Sequence, residues 1–177
     1  MSYDVAGQSY ALTVLTPIVA GQESALQSHL RGLRRSPFAD APRTHFARWV
    51  IVPQPAYQGP PMRPDPWKSQ YLIFSACLDG ELDSYLAELC ELIGPDVDAV
   101  WRHCVGYPGS ADPAAFARYM HHNRIPTEVY FAAYPDATVA QVREALARRD
   151  EVVNFAVAVQ GLGNDDLHRR WKEQFGG

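Results

Sequence analysis

Apolar and polar positions change period several times along this 177-residue chain, and each change marks an element. Tyr10–Ile18 alternates and is rich in β-branched residues, which predicts a strand. After Gly21, Leu26, Leu30 and Leu33 recur at helical spacing and predict a helix that Ser36-Pro37 stops. Thr44–Val52 and Gln70–Leu78 read as further strands. A helix opened by Asp79-Gly80 carries Leu82, Tyr85, Leu86, Leu89 and Ile93 as its buried stripe. Gly94-Pro95 breaks it, Asp96 begins a second short helix through Cys104, and Asp112-Pro113 starts another through Met120. Thr127–Tyr134 is predicted as a fourth strand and Thr138 as the cap of a following helix. Glu151–Leu162 has valines that favour a strand and flanks that favour a helix; the helix is preferred. An amphipathic tail with Leu167, Trp171 and Phe175 closes the chain.

Between the second and third strands, residues 53–69 hold six prolines, with Tyr57, Met62, Arg63 and Trp67 among them. Proline fixes φ and removes a donor, so this is a loop, and a long one for its place. It reads either as a lid or interface arm or as a stiff surface connection.

The strand–helix unit at 10–33 is echoed at 127–149, as two halves of a βαββαβ domain would be. This order of elements resembles the ferredoxin-like fold, and within it the dimeric α/β-barrel group, over about residues 10–149. The expected fold is therefore α+β: a ferredoxin-like βαββαβ antiparallel sheet with extra helices, in one domain over 1–177 with a helical C-terminal extension. The resemblance implies helices on one sheet face and a homodimer or ligand on the other. It carries no catalytic residues, because element order alone supports it.

Composition narrows the function. Apolar residues make up 47% and charged residues 20%, an ordinary globular balance. The net charge of −4 gives no electrostatic case for nucleic acid. No stretch reaches the roughly 18 apolar residues of a membrane span, so no membrane association is expected. Met1–Gln8 lacks a basic region followed by an apolar one, so no secretory leader is expected, and Cys77, Cys90 and Cys104 form no disulfide framework. A cytoplasmic protein is the expectation. No CxxC, HExxH, Gly-rich phosphate loop, GxSxG elbow or EF-hand loop is present, which argues against ATP hydrolysis, zinc peptidase chemistry and Rossmann-type NAD binding.

Alternation sorts the strand side chains onto two faces. Leu72, Phe74, Ala76 and Leu78 should meet the helices, leaving Tyr71, Ser75, Tyr130 and Tyr134 facing away. His45 and Trp49 share one side of the second strand and Arg48 takes the other; which side joins the phenols depends on register. His45 is the candidate general base, Arg48 the candidate clamp for an anion, and Trp49 and Trp67 are candidate substrate contacts with the phenols and Ser75. The bland alternative packs the tyrosine rings against a partner sheet. His103, beside Cys104 at a helix end, reads either as a catalytic acid or haem or metal ligand, or as a structural C-terminal cation. His121-His122 point about 100° apart on a helix and make a poor metal pair.

These features lead to the expectation of a small-molecule enzyme of dimeric α/β-barrel type, acting on an aromatic or polyketide-like substrate by cofactor-independent monooxygenase or cyclase chemistry. The alternatives are a haem-dependent oxidoreductase and a non-catalytic ligand-binding or dimerisation module.

Overall fold

The computed structural model describes residues 3–53, 59–60 and 68–176. Trp67, and the parts of the proline-rich segment at 54–58 and 61–67, lie outside them. The chain resolves into two compact units, Met1–Val139 and Ala140–Gly177.

The first unit is α+β. Its strands are β1 (Val5–Ala6), β2 (Ser9–Pro17), β3 (Thr44–Val52) and β4 (Tyr71–Asp79). They form an antiparallel sheet in the order β1-β2-β4-β3. β2 leads through helix α1 (Glu23–Gly32) to β3, and β4 inserts between the two, so this strand–helix–strand unit is split. β4 then feeds helices α2 (Leu82–Trp101) and α3 (Pro113–His122). The three long strands fall within one residue of their predicted limits. The two helices expected around Gly94-Pro95 are one helix, kinked at Ile93 (φ −131°, ψ 26°), because Pro95 lacks the amide hydrogen that would continue the ladder. Asp112 caps α3 through Ala115 N–H at 3.0 Å.

One face of the sheet is closed. Leu12, Val14, Leu72, Phe74 and Leu78 pack beneath Leu82, Leu86, Leu89 and Trp101 of α2, all of them buried. Trp49 joins this side. Its ring centroid lies 4.8 Å from that of Phe38 and 5.6 Å from that of Trp101.

The predicted fourth strand does not form: residues 125–138 hold neither strand nor helix, and Val129, Phe131 and Tyr134 are exposed. The outer edge of β2 is already taken at its first two residues. Val5 and Ala6 pair with Tyr10 and Ser9, a two-residue hairpin around Gly7 and Gln8 that the sequence reading missed. Beyond it, Asn123–Ile125 makes only a brief contact, with Leu15 N–H donating to Asn123 and Ile125 N–H to Thr13. Thr127 N–H then turns away to the buried Asp4 carboxylate at 3.0 Å, and Pro126 and Pro135 bracket the rest. Gly7 has φ +60°, and a Cβ there would sit 2.5 Å from the Pro135 carbonyl oxygen, so the hairpin also fixes the end of this segment.

The second unit carries most of α4 (Val139–Ala158) and all of α5 (Asn164–Phe175), which confirms the helical reading of most of 151–162. Phe155 is the buried residue that joins them, with Trp171 and Phe175 at centroid distances of 5.5 and 5.3 Å. Among the described residues, no helix is long and apolar enough to cross a membrane.

Candidate functional site

The open face of the sheet is lined by the alternate residues: Thr13 and Leu15 of β2, Tyr71, Ile73, Ser75 and Cys77 of β4, and Phe46, Arg48 and Val50 of β3. Register puts Arg48 directly opposite Ser75, with Thr13 on its other side. The face is half-buried or exposed throughout.

Its polar end is organised by an irregularity. Thr44 pairs with Leu78, yet Phe46 pairs with Cys77, so β3 spends two steps where β4 spends one. Such a bulge re-aims side chains. Thr44 turns inward, its Oγ1 2.8 Å from the buried Tyr85 hydroxyl. His45 leaves the side that alternation assigns it with Trp49 and reaches Asp79: Nε2 lies 2.6 Å from Oδ1. Both His45 and Arg48 therefore stand with the open face, while Trp49 stays in the core.

Asp79 ends β4 and is held on every side. Its second carboxylate oxygen accepts Val139 N–H at 2.8 Å, its N–H donates to the Arg43 carbonyl at 2.9 Å, and its carbonyl accepts Arg43 Nε at 2.9 Å. Arg43 is anchored in turn by Glu88 at 3.2 Å. A carboxylate fixed this way can impose one orientation and one tautomer on an imidazole.

Tyr130 reaches the same corner from the irregular segment, its hydroxyl sharing a 2.6 Å hydrogen bond with Ser9 Oγ. Burial raises its pKa above that of an ordinary phenol; the Ser9 hydrogen bond opposes this, and Cys77 and the Asp79 charge reinforce it. The phenol keeps its proton at neutral pH and is able to donate it in a hydrogen bond. His45, Asp79, Ser9, Tyr130 and Cys77 thus form one cluster.

The remaining predicted residues are dispersed. Ser75 lies four residues back along β4 from Asp79, roughly 13 Å at 3.3 Å per residue. Tyr71 is at the opposite end, paired with Pro17 and Val52. Arg48 is exposed, its guanidinium 5.8 Å from the Phe46 ring centroid. Tyr134 is exposed and carries no strand geometry. His103 is buried beyond the far end of β2, where Ile18 bridges Cys104, and its Nδ1 lies 2.9 Å from Gln22 Oε1. Burial, then Arg102 and His29, push its pKa down. It does not join His45. Among the described residues, no group of three or more His, Cys, Asp and Glu side chains is placed to hold a metal ion.

Sequence reasoning missed Asp79, Ser9 and Cys77. Asp79 reads naturally as an acidic helix start, yet it continues the 71, 73, 75, 77 alternation, which is the signal that could have placed it on the open face.

Comparison with family models, with curated proteins and with solved structures found no match to the chain.

Proposed function

We propose that the first unit is a small-molecule enzyme built on a ferredoxin-like sheet, with its site on the open face and proton abstraction by His45 as its chemistry. The observation that carries this reading is the 2.6 Å contact of His45 Nε2 with an Asp79 carboxylate whose other oxygen is held by Val139. With Nε2–H donating to Asp79, Nδ1 keeps its lone pair and serves as the general base. Tyr130, protonated, donates to the oxygen on which negative charge develops. Arg48 holds a carboxylate or phenolate further along the sheet, and Ile73, Phe46 and Val50 supply an apolar bed for an aromatic or polyketide-like molecule. Proton loss from such a substrate is the first step of a cofactor-independent cyclase or monooxygenase.

The test is solvent deuterium exchange at the acidic C–H of aryl β-dicarbonyl compounds, followed by NMR. Catalysed exchange should fall by on the order of 10²-fold or more in His45→Ala, with the fold checked by circular dichroism. Equal exchange in both proteins across the panel would remove His45 as the base.

A second reading takes the open face as a pairing surface, and the exposure of Phe46 (47%) and Val50 (41%) favours it. Under that reading Val50→Glu changes the oligomeric state, whereas His45→Ala leaves both association and probe binding as they were.

A further inference from the structure

Where α1 ends against the edge of the sheet there is a hollow lined by three arginines. The helix stops at Gly32, and the chain leaves it extended at Leu33 (φ −66°, ψ 117°) and again at Ser36 (φ −68°, ψ 129°). Pro37 favours the second of these, because its ring disfavours the helical conformation in the residue before it. The strap from Leu33 to Ser36 borders β3, the last strand of the sheet. Because β3 ends the sheet, Arg48 from its open face and Trp49 from its closed face line the same space. The hollow measures about 320 Å³. Leu33, Pro37 and Trp49 give it an apolar wall, and Arg34, Arg35 and Arg48 give it charge. Among the described residues no carboxylate lines it.

Those charges are not all compensated. Asp40 grips Arg35 through two hydrogen bonds, at 2.8 and 2.9 Å, which both orients and neutralises that guanidinium. Among the described residues the Arg34 guanidinium has no hydrogen bond or ion pair, and that of Arg48 has only the Phe46 ring, a weak contact at an exposed site. The partial negative charge at the end of α1, about half a unit, does not call for them, because Arg31 already sits in its last turn and outside the hollow. Two positive charges are left over. A carboxylate would meet one of them; a phosphate monoester, at about −1.5 to −2 near neutral pH, meets both. Guanidinium forks also match phosphate oxygens two at a time. The Ser36 side chain caps no helix and adds a hydroxyl donor.

We infer that this hollow binds a small phosphate monoester, with Arg34 and Arg48 on the phosphate oxygens, Arg35 positioned beside them by Asp40, and the organic part of the ester against Trp49 and Pro37. Sites for small molecules run from about 300 to 1,000 Å³, and this one lies at the small end, which suits a compact ester such as an aryl phosphate. The inference deepens the reading of Arg48 as an anion clamp, on which it rests, by making the anion a phosphate in place of a carboxylate or phenolate. It uses neither His45 nor Asp79.

Calorimetric titration of the full chain with phenyl phosphate tests it, at about 0.15 M salt so that exposed charges beyond about 8 Å are screened. Phenyl phosphate should bind with Kd of about 1 mM or tighter. It should bind at least about tenfold more tightly than benzoate, which lacks the second charge, or inorganic phosphate, which lacks the ring. Arg34→Ala and Arg48→Ala should each weaken it by about tenfold or more. Arg31→Ala removes the same charge from the same helix end but outside the hollow, and should change the affinity by less than about twofold. All three positions are exposed, and circular dichroism verifies the fold. His45→Ala should bind phenyl phosphate as the unaltered chain does, so its effect on proton exchange bears on the His45 reading alone. Absence of phenyl phosphate binding, either comparator bound as tightly, an affinity unmoved by Arg34→Ala or Arg48→Ala, or an equal loss in Arg31→Ala would each overturn the inference.

Discussion

The two faces of the sheet share one backbone and differ in what constrains them. On the closed face, Leu12, Val14, Leu72, Phe74 and Leu78 are sealed by α2, and shape decides which residue fits. On the open face, Thr13, Ser75, Cys77 and Arg48 stand at the alternate positions of the same strands, half-buried or exposed. On the closed side a polar group needs a buried partner, as Thr44 has in Tyr85, whereas the open face carries polar groups along its length, and at the end where the β3 bulge delivers His45 they are joined to one another. The contrast teaches that the closed face holds the fold and the open face is free to carry chemistry.

Substitutions on the two sides should separate stability from activity. The largest loss is expected from Phe74→Ala, which empties the stack between Phe38 and Trp101. Denaturant unfolding should show a loss of about 3–5 kcal/mol; a loss below about 1 kcal/mol would mean that the aromatic column does not hold the core together. Asp79→Ala breaks the His45 and Val139 contacts together. It should cost about 1–3 kcal/mol in the same assay, and it should lower proton-exchange activity at least as much as His45→Ala does. Gly7→Ala forces a Cβ onto the Pro135 carbonyl at a positive φ, and a loss of about 1–2 kcal/mol is expected.

The pH dependence separates His103 from the open face. Its folded pKa is lowered, so the fold favours the neutral ring. That contribution is full above the unfolded value of about 6.5 and is lost as pH falls through the folded pKa. Stability of the unaltered protein should therefore drop more steeply on going from neutral to mildly acidic pH than that of His103→Gln, measured by unfolding at each pH. Arg48→Ala is the smallest case for the fold. Exposed and away from the core, it should shift stability by less than about 0.5 kcal/mol while weakening binding of an anionic aromatic probe, read by calorimetry.

Much of the architecture was legible because period is a direct consequence of which side is buried. β3 was bounded to the residue, and Gly94-Pro95, read as a break between two helices, marks where the single helix α2 kinks. Three things were not legible, each for a physical reason. Thr127–Tyr134 has the residues of a strand, but the β2 edge where it would pair is held at one end by Val5–Ala6 and further along by Asn123–Ile125. Strict alternation put His45 with Trp49, and no residue preference in Thr44-His45-Phe46 marks the extra step that parts them. The His45–Asp79 pair joins residues 34 positions apart, a separation that only the register of two strands brings together.

The bulge has a consequence for how this protein can change. The eight pairings between β3 and β4 are indifferent to what the unpaired His45 presents, because the slip is confined to the step between Thr44 and Phe46. Deleting one residue there would restore unbroken pairing and leave the hydrophobic interior in place, yet withdraw the imidazole from its carboxylate. A single length change in one strand thus makes or breaks the His45–Asp79 contact while the packing of the interior stays as it is.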